Sequence, residues 1–135
     1  MQLEFFSALD TGRARSNNED AVRIDENLAL AVLADGMGGY NAGEVASAMT
    51  VDCVHDDIAR WLAEPRGPRD ENEIRQALIA SAQHANHEVY QASQGKAEYA
   101  GMGTTLVTAL FNEDRLWVGH IGDSRAYRWR DGRLE

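Results

Sequence analysis

The sequence predicts an α+β fold in which antiparallel sheets carry helices on one face. Short β-type runs bounded by turn residues occupy both ends of the chain, and two long stretches of helical periodicity lie between them. The links between neighbouring strands are only a few residues long, too short for the crossovers that parallel strands need.

Leu3 to Asp10 is apolar and aromatic and reads as a first strand, broken by Thr11-Gly12. Ala21 to Asp25 alternates, Glu26-Asn27 reads as a turn, and Leu28 to Ala34 is a continuous apolar run stopped by Asp35-Gly36. That run predicts the second strand of a hairpin, buried on both faces. Gly36, Gly38, Gly39 and Gly43 then mark a tight backbone passage. From Gly43 to Leu62 the residues Val45, Met49, Cys53 or Val54, Ile58, Trp61 and Leu62 recur at helical spacing, and Pro65-Arg66-Gly67-Pro68 ends the helix. Glu71 to Gln94 repeats the pattern, with Gly95 as a stop. Thr104 to Phe111, Leu116 to Ile121 and Ala126 to Arg130 read as three more strands. Asp131-Gly132 is a two-residue hairpin signal with only Arg133-Leu134-Glu135 left to return.

The chain has 135 residues, 44% hydrophobic and 26% charged, which is the composition of a globular domain. Its 13 Lys+Arg against 22 Asp+Glu give a net charge of −9, and the arginines are scattered, so nucleic acid and anionic membrane surfaces are not expected partners. The single Cys53 forms no intrachain disulfide, the N-terminus lacks a basic leader, and no apolar run reaches the roughly 20 residues of a membrane span. A cytoplasmic location without membrane insertion is the expectation.

Acidic residues stand beside glycine or turn residues at three strand ends: Asn18-Glu19-Asp20, Asp35-Gly36 and Gly122-Asp123. Each alone is ordinary turn chemistry. Together they suggest carboxylates gathered at one sheet end, where mutual repulsion calls for a hard divalent cation with oxygen ligands. Gly36 lets its own carbonyl approach such an ion. His84 and His87, three apart on a helix, show no third ligand and read as solvated or capping residues. His120 reads as a strand histidine packed at a sheet edge. Cys53 reads as a buried thiol and not a nucleophile, and Trp61, Trp117 and Trp129 as core or sheet-edge aromatics.

Arg15-Ser16-Asn17-Asn18-Glu19-Asp20, Asp35-Gly36-Met37-Gly38-Gly39, Gly101-Met102-Gly103-Thr104-Thr105 and Gly122-Asp123-Ser124-Arg125-Ala126-Tyr127 follow one another in an order that resembles the motifs of the metal-dependent protein phosphatases, type 2C. The short loops resemble the bacterial branch that opposes Hanks-type serine/threonine kinases. The resemblance implies a four-layer α-β-β-α sandwich, with residues 1–135 as the N-terminal portion of a single domain truncated after Glu135. It implies hydrolysis of phosphoserine or phosphothreonine in protein substrates by a metal-bound water or hydroxide, with two or three Mn²⁺ or Mg²⁺ ions. Asp20 and Asp35 would be metal ligands, Asp35 bridging two ions, and the Gly36 carbonyl would bind one. Glu19 would hold a metal-bound water, Arg15 would grip the phosphate, and Asp123 would serve a third ion. Thr104 and Thr105 match a motif that looks structural.

Where the eukaryotic branch has a histidine as general acid, this chain has Met37, which donates no proton. The family's two downstream aspartates fall outside the 135 residues. A non-catalytic phosphatase-like module, or an inactive fragment, is therefore the alternative, and a phosphatase of small molecules a weaker third.

Overall fold

In the computed structural model, which describes residues 2–135, the organising unit is a hairpin of β1 (Asp20–Asp25) and β2 (Leu30–Met37). Its turn is built by Asp25, whose Oδ1 accepts the N–H groups of Asn27 (3.1 Å) and Leu28 (3.2 Å). β4 (Leu106–Asn112) pairs with the other edge of β2, and β5 (Arg115–Ile121) closes the order β1-β2-β4-β5, all antiparallel. The expected strand from Thr104 to Phe111 is split at Thr105, so that a short β3 (Gly103–Thr104) pairs with the far end of β2.

Helices α1 (Ala42–Ala63) and α2 (Glu71–Gly95) lie together on one face of this sheet, close to the limits expected from periodicity. The core between them contains Leu30, Val32, Ala34, Val54, Ile58, Ile74, Leu106 and Leu110. The buried stripe of α1 is rotated from the sequence reading. Ala42, Ala46, Ser47 and Thr50 are buried, while Val45, Met49 and Cys53 are half-buried on the flank. Small residues let the helix approach β2 closely, and a pattern based on apolar bulk overlooks them. α2 opens with a reciprocal cap: Glu73 N–H donates to Asp70 Oδ1 (2.8 Å) and Asp70 N–H to Glu73 Oε2 (2.9 Å).

Three expectations are corrected. Leu3 to Asp10 forms no strand, because it has no ladder partner among the described residues. Instead it lies over the sheet face away from the helices, with Phe5 edge-on to Phe111. β2 is not buried on both faces: Leu30, Val32, Ala34 and Gly36 face the helices, while Leu33, Asp35 and Met37 are exposed on the other. Ala126 to Arg130 shrinks to β6 (Trp129–Arg130), paired with β7 (Arg133–Leu134). Asp131 (φ 51°) and Gly132 (φ 75°) form the turn that the sequence announces. Trp61 and Trp117 pack on the core, and Trp129 is exposed on the small hairpin.

Polar side chains fasten β1 to α1. Arg23 Nη1 donates to Asp52 Oδ1 (2.7 Å), and His55, largely buried, bonds Asp25 Oδ2 through Nε2 and Asp56 Oδ1 through Nδ1, both at 2.9 Å. The bonds from His55 hold both carboxyls below their usual value of 3.8. The unfolded chain therefore binds more protons in that range. The stability contributed is complete above about pH 4 and is lost as pH falls through the lower folded values. Urea unfolding at about pH 6 and pH 3 is expected to show a larger acid loss for the native chain than for His55→Gln.

Candidate metal and phosphate site

The β1–β2 register places Asp20 directly opposite Asp35. Both project from the sheet face away from the helices, and they line one cavity of about 210 Å³ with Arg15, Glu19, Asn17, Asn18, Asp10 and Thr11. Four of the residues singled out in the sequence thus converge. The carboxyl of Asp20 is held above its usual range, first by burial and then by the neighbouring Asp35. A cation between them would relieve that cost.

The backbone around the pair is fixed by groups outside the cavity. Thr105 Oγ1 accepts the N–H of Asp35 (3.0 Å), while Thr105 N–H donates to the Asp35 carbonyl (2.9 Å). The same hydroxyl is 2.6 Å from Ser124 Oγ, and Ser124 O accepts from His120 Nε2 at 2.6 Å. Thr105 is therefore a clamp on Asp35 and the reason the ladder breaks between β3 and β4. The carbonyl of Glu19 accepts from Gly36 N–H (3.1 Å) and from Ser47 Oγ (2.6 Å). Asn18 Oδ1 accepts from Asp20 N–H at 2.9 Å. Asn41, left-handed at φ 64°, does not cap α1 with its side chain and instead accepts from Asn17 Nδ2 at 3.0 Å. Ser47 and Asn41 carried no sequence signal, since serine and asparagine near a helix start ordinarily read as caps.

Glu19 is largely enclosed, with 17% of its side chain exposed, whereas Arg15 is 77% exposed and only 3.9 Å from it. So open a pair contributes little to stability and leaves the guanidinium free for another anion. Gly36 is not among the cavity-lining residues. Its lack of a side chain is needed against α1, because a Cβ there would stand 1.9 Å from the Gly43 carbonyl oxygen. Asp123 is exposed and outside the cavity lining, one residue before the Ser124 that bonds Thr105. Met37 is exposed at the end of β2.

The donor set is hard oxygen throughout, which suits Mg²⁺ or Mn²⁺ and not a soft metal. Two opposed carboxylates, an enclosed third and a free guanidinium can hold divalent cations beside a phosphate group. The glycine contact supplies a test of how the site is built. Gly36→Ala is expected to cost at least about 3 kcal/mol in urea unfolding. Gly39→Ala, where nothing lies within 4 Å of the added Cβ, should be nearly neutral.

The family model described as Protein phosphatase 2C matches residues 12–135. The serine/threonine protein phosphatase PstP of Mycobacterium tuberculosis is 38% identical over 135 residues, which is 98% of this chain and 24% of that protein. The serine/threonine phosphatase stp of Listeria monocytogenes is 37% identical over 130 residues, 94% of this chain and 49% of that one. This chain spans about half or less of the length of these curated relatives. Among solved structures, Mycobacterium tuberculosis PstP/Ppp superposes with a TM-score of 0.79 at 39% identity, covering 93% of this chain and 49% of that one. The PstP catalytic domain in complex with two manganese ions gives 0.78 at 39% identity, covering 93% and 50%. Four ordered motifs, the opposed aspartates and these matches agree: the chain belongs to the protein phosphatase 2C family.

Proposed function

We propose that this chain carries the phosphate-binding group and part of the metal-binding set of a metal-dependent phosphoserine/phosphothreonine protein phosphatase. The observation that carries the reading is the Asp20–Asp35 pair sharing one cavity with Glu19 and Arg15. Asp20 and Asp35 are the residues to hold two Mn²⁺ or Mg²⁺ ions, with the Gly36 carbonyl as a further ligand. Bound ions would lower the pKa of water and neutralise charge on the phosphoryl group. Glu19, its backbone held by the bonds to its carbonyl, would hold a metal-bound water by accepting a hydrogen bond from it. Arg15 leaves its loose contact with Glu19 to take two phosphate oxygens in its planar fork. Met37 donates no proton, so the leaving alkoxide takes its proton from a metal-bound water, from solvent or from another residue. Asp123, tied to the site through Ser124 and Thr105, is the proposed ligand of a third ion.

The proposed substrates are phosphorylated proteins, in keeping with the names of the relatives, and a serine/threonine kinase and its targets are proposed among them. Among the described residues no helix is long and apolar enough to cross a membrane. The unpaired Cys53 fits a reducing, cytoplasmic setting. We further propose that residues 1–135 are the N-terminal portion of the domain, with the remaining carboxylates supplied by sequence beyond them. Two features support this: the exposed Leu33, Leu116 and Val118 on the sheet face beside the aspartates, and the partial coverage of the relatives.

In a protein extended to the length of the relatives, the expected outcome is Mn²⁺-dependent hydrolysis of p-nitrophenyl phosphate and of a phosphothreonine peptide, abolished by EDTA and brought to background by Asp35→Asn. Arg15→Lys should lower kcat/KM by about 100-fold, because a point charge does not replace the fork. Activity surviving both chelation and Asp35→Asn would sink the reading. Metal binding without turnover, even in a protein extended to the length of the relatives, would favour the non-catalytic module.

A further inference from the structure

On the helix side of the sheet, in the seam between α1 and α2, three side chains of metal-ligating type converge. Cys53 and Asp57 stand one turn apart on the same face of α1, and His84 reaches them from α2. Their ligand atoms all lie within 4.8 Å of one another, with His84 Nδ1 3.3 Å from Cys53 Sγ and 2.7 Å from Asp57 Oδ2. Among the described residues this is the one group of three such side chains whose ligand atoms gather this closely outside the carboxylate cavity. The sequence gives no sign of it, because His84 pairs with residues about thirty positions away and not with His87, which is exposed.

We propose that Cys53, Asp57 and His84 bind a borderline-soft divalent cation of the zinc class, which staples α1 to α2. One sulfur, one imidazole nitrogen and one carboxylate oxygen form the mixed donor set that zinc accepts and that Mg²⁺ does not favour. Metal–ligand bonds of about 2.0–2.3 Å put tetrahedral ligands about 3.3–3.7 Å apart, so the two contacts to His84 Nδ1 need to open by no more than about 1 Å.

The surroundings fit ligands and not a nucleophile. In a catalytic arrangement the thiol and the carboxylate occupy opposite ring nitrogens; here both meet Nδ1. Glu88 Oε1 lies 3.7 Å from His84 Nε2, on the ring nitrogen away from the cluster, where a carboxylate can orient a ligating imidazole. Arg60 takes the other oxygen of Asp57 and leaves Oδ2 for the ion. The pocket between the helices, lined by Asp57, Ser81 and His84, leaves room for water as a fourth ligand. Binding displaces the thiol proton to solvent and forms a thiolate–metal bond.

Cobalt(II) is the probe, because a thiolate ligand gives it a near-ultraviolet sulfur-to-metal charge-transfer band that oxygen ligands do not. The purified metal-free protein is titrated with Co²⁺ in the presence of excess Mg²⁺, which fills hard oxygen sites. The expected result is a band in the native protein and in Asp35→Asn, displaced by Zn²⁺ and lost in Cys53→Ser. His84→Ala should weaken apparent affinity at least tenfold, and Glu88→Gln by about tenfold. Far-ultraviolet circular dichroism checks that the variants keep their helices, and Asp57→Asn replaces His84→Ala if that variant does not. No band in the native protein, a band that persists in Cys53→Ser, or an affinity indifferent to both His84→Ala and Asp57→Asn overturns the proposal. The outcome is independent of phosphatase activity.

Discussion

Two carboxylates held opposite each other on neighbouring strands are the constraint around which the rest of this structure is arranged. Asp20 and Asp35 repel, and Asp20 is held above its usual range first by burial and then by that repulsion. An unconstrained hairpin could relieve it by slipping register or turning a side chain away. Here neither strand is free to do so. Thr105 holds Asp35 from both sides of its peptide, and Gly36 and Ser47 hold the carbonyl that precedes Asp20. The bonds come from β-strand, loop and helix at once, so no single element can relax the pair.

That arrangement explains the asymmetry of the sheet. Side chains of β2 alternate between Leu30, Val32, Ala34 and Gly36 toward the helices and Ala31, Leu33, Asp35 and Met37 away from them. The inward set is small or aliphatic and ends in a glycine whose hydrogen lies against the start of α1. The outward set is apolar except for Asp35. One strand thus serves a core on one side and a cation site on the other, and the period of two keeps the roles apart.

The same alternation limits what could be read from sequence. Helix limits and strand pairs were legible because the helical periodicities are long and the strands are joined by short links of turn residues, Glu26-Asn27, Glu113-Asp114 and Asp131-Gly132. The candidate site was legible because its motifs occur in order at strand ends. The exposed face of β2 was not, since a continuous run from Leu28 to Ala34 looks the same whether its second face is covered or open. Leu3 to Asp10 had strand composition, but a strand also needs a partner, and composition carries no information on partners. Thr105 and Ser47 act through backbone groups distant in sequence and Asn41 through the side chain of Asn17, and a hydroxyl or amide in a β-run or helix start gives no hint of these partners. The Cys53–Asp57–His84 cluster depends on how two helices are rotated against each other, which small residues such as Ala46 and Thr50 decide.

α1 is the member common to all of these contacts. It is one uninterrupted helix from Ala42 to Ala63, about 15 Å separating Gly43 from Cys53 along its axis. At its start Gly43 leaves no room for a side chain beside the Glu19 carboxylate, and Ser47 bonds the Glu19 carbonyl. In its middle Arg23, Asp25 and His55 tie it to β1, and Cys53 and Asp57 meet α2. A helix held at three points along one rod cannot shift at one without straining the others. Whatever fixes the seam with α2 therefore also fixes the wall against which Glu19 and Asp20 are set, although the seam and the carboxylates lie on opposite faces of the sheet.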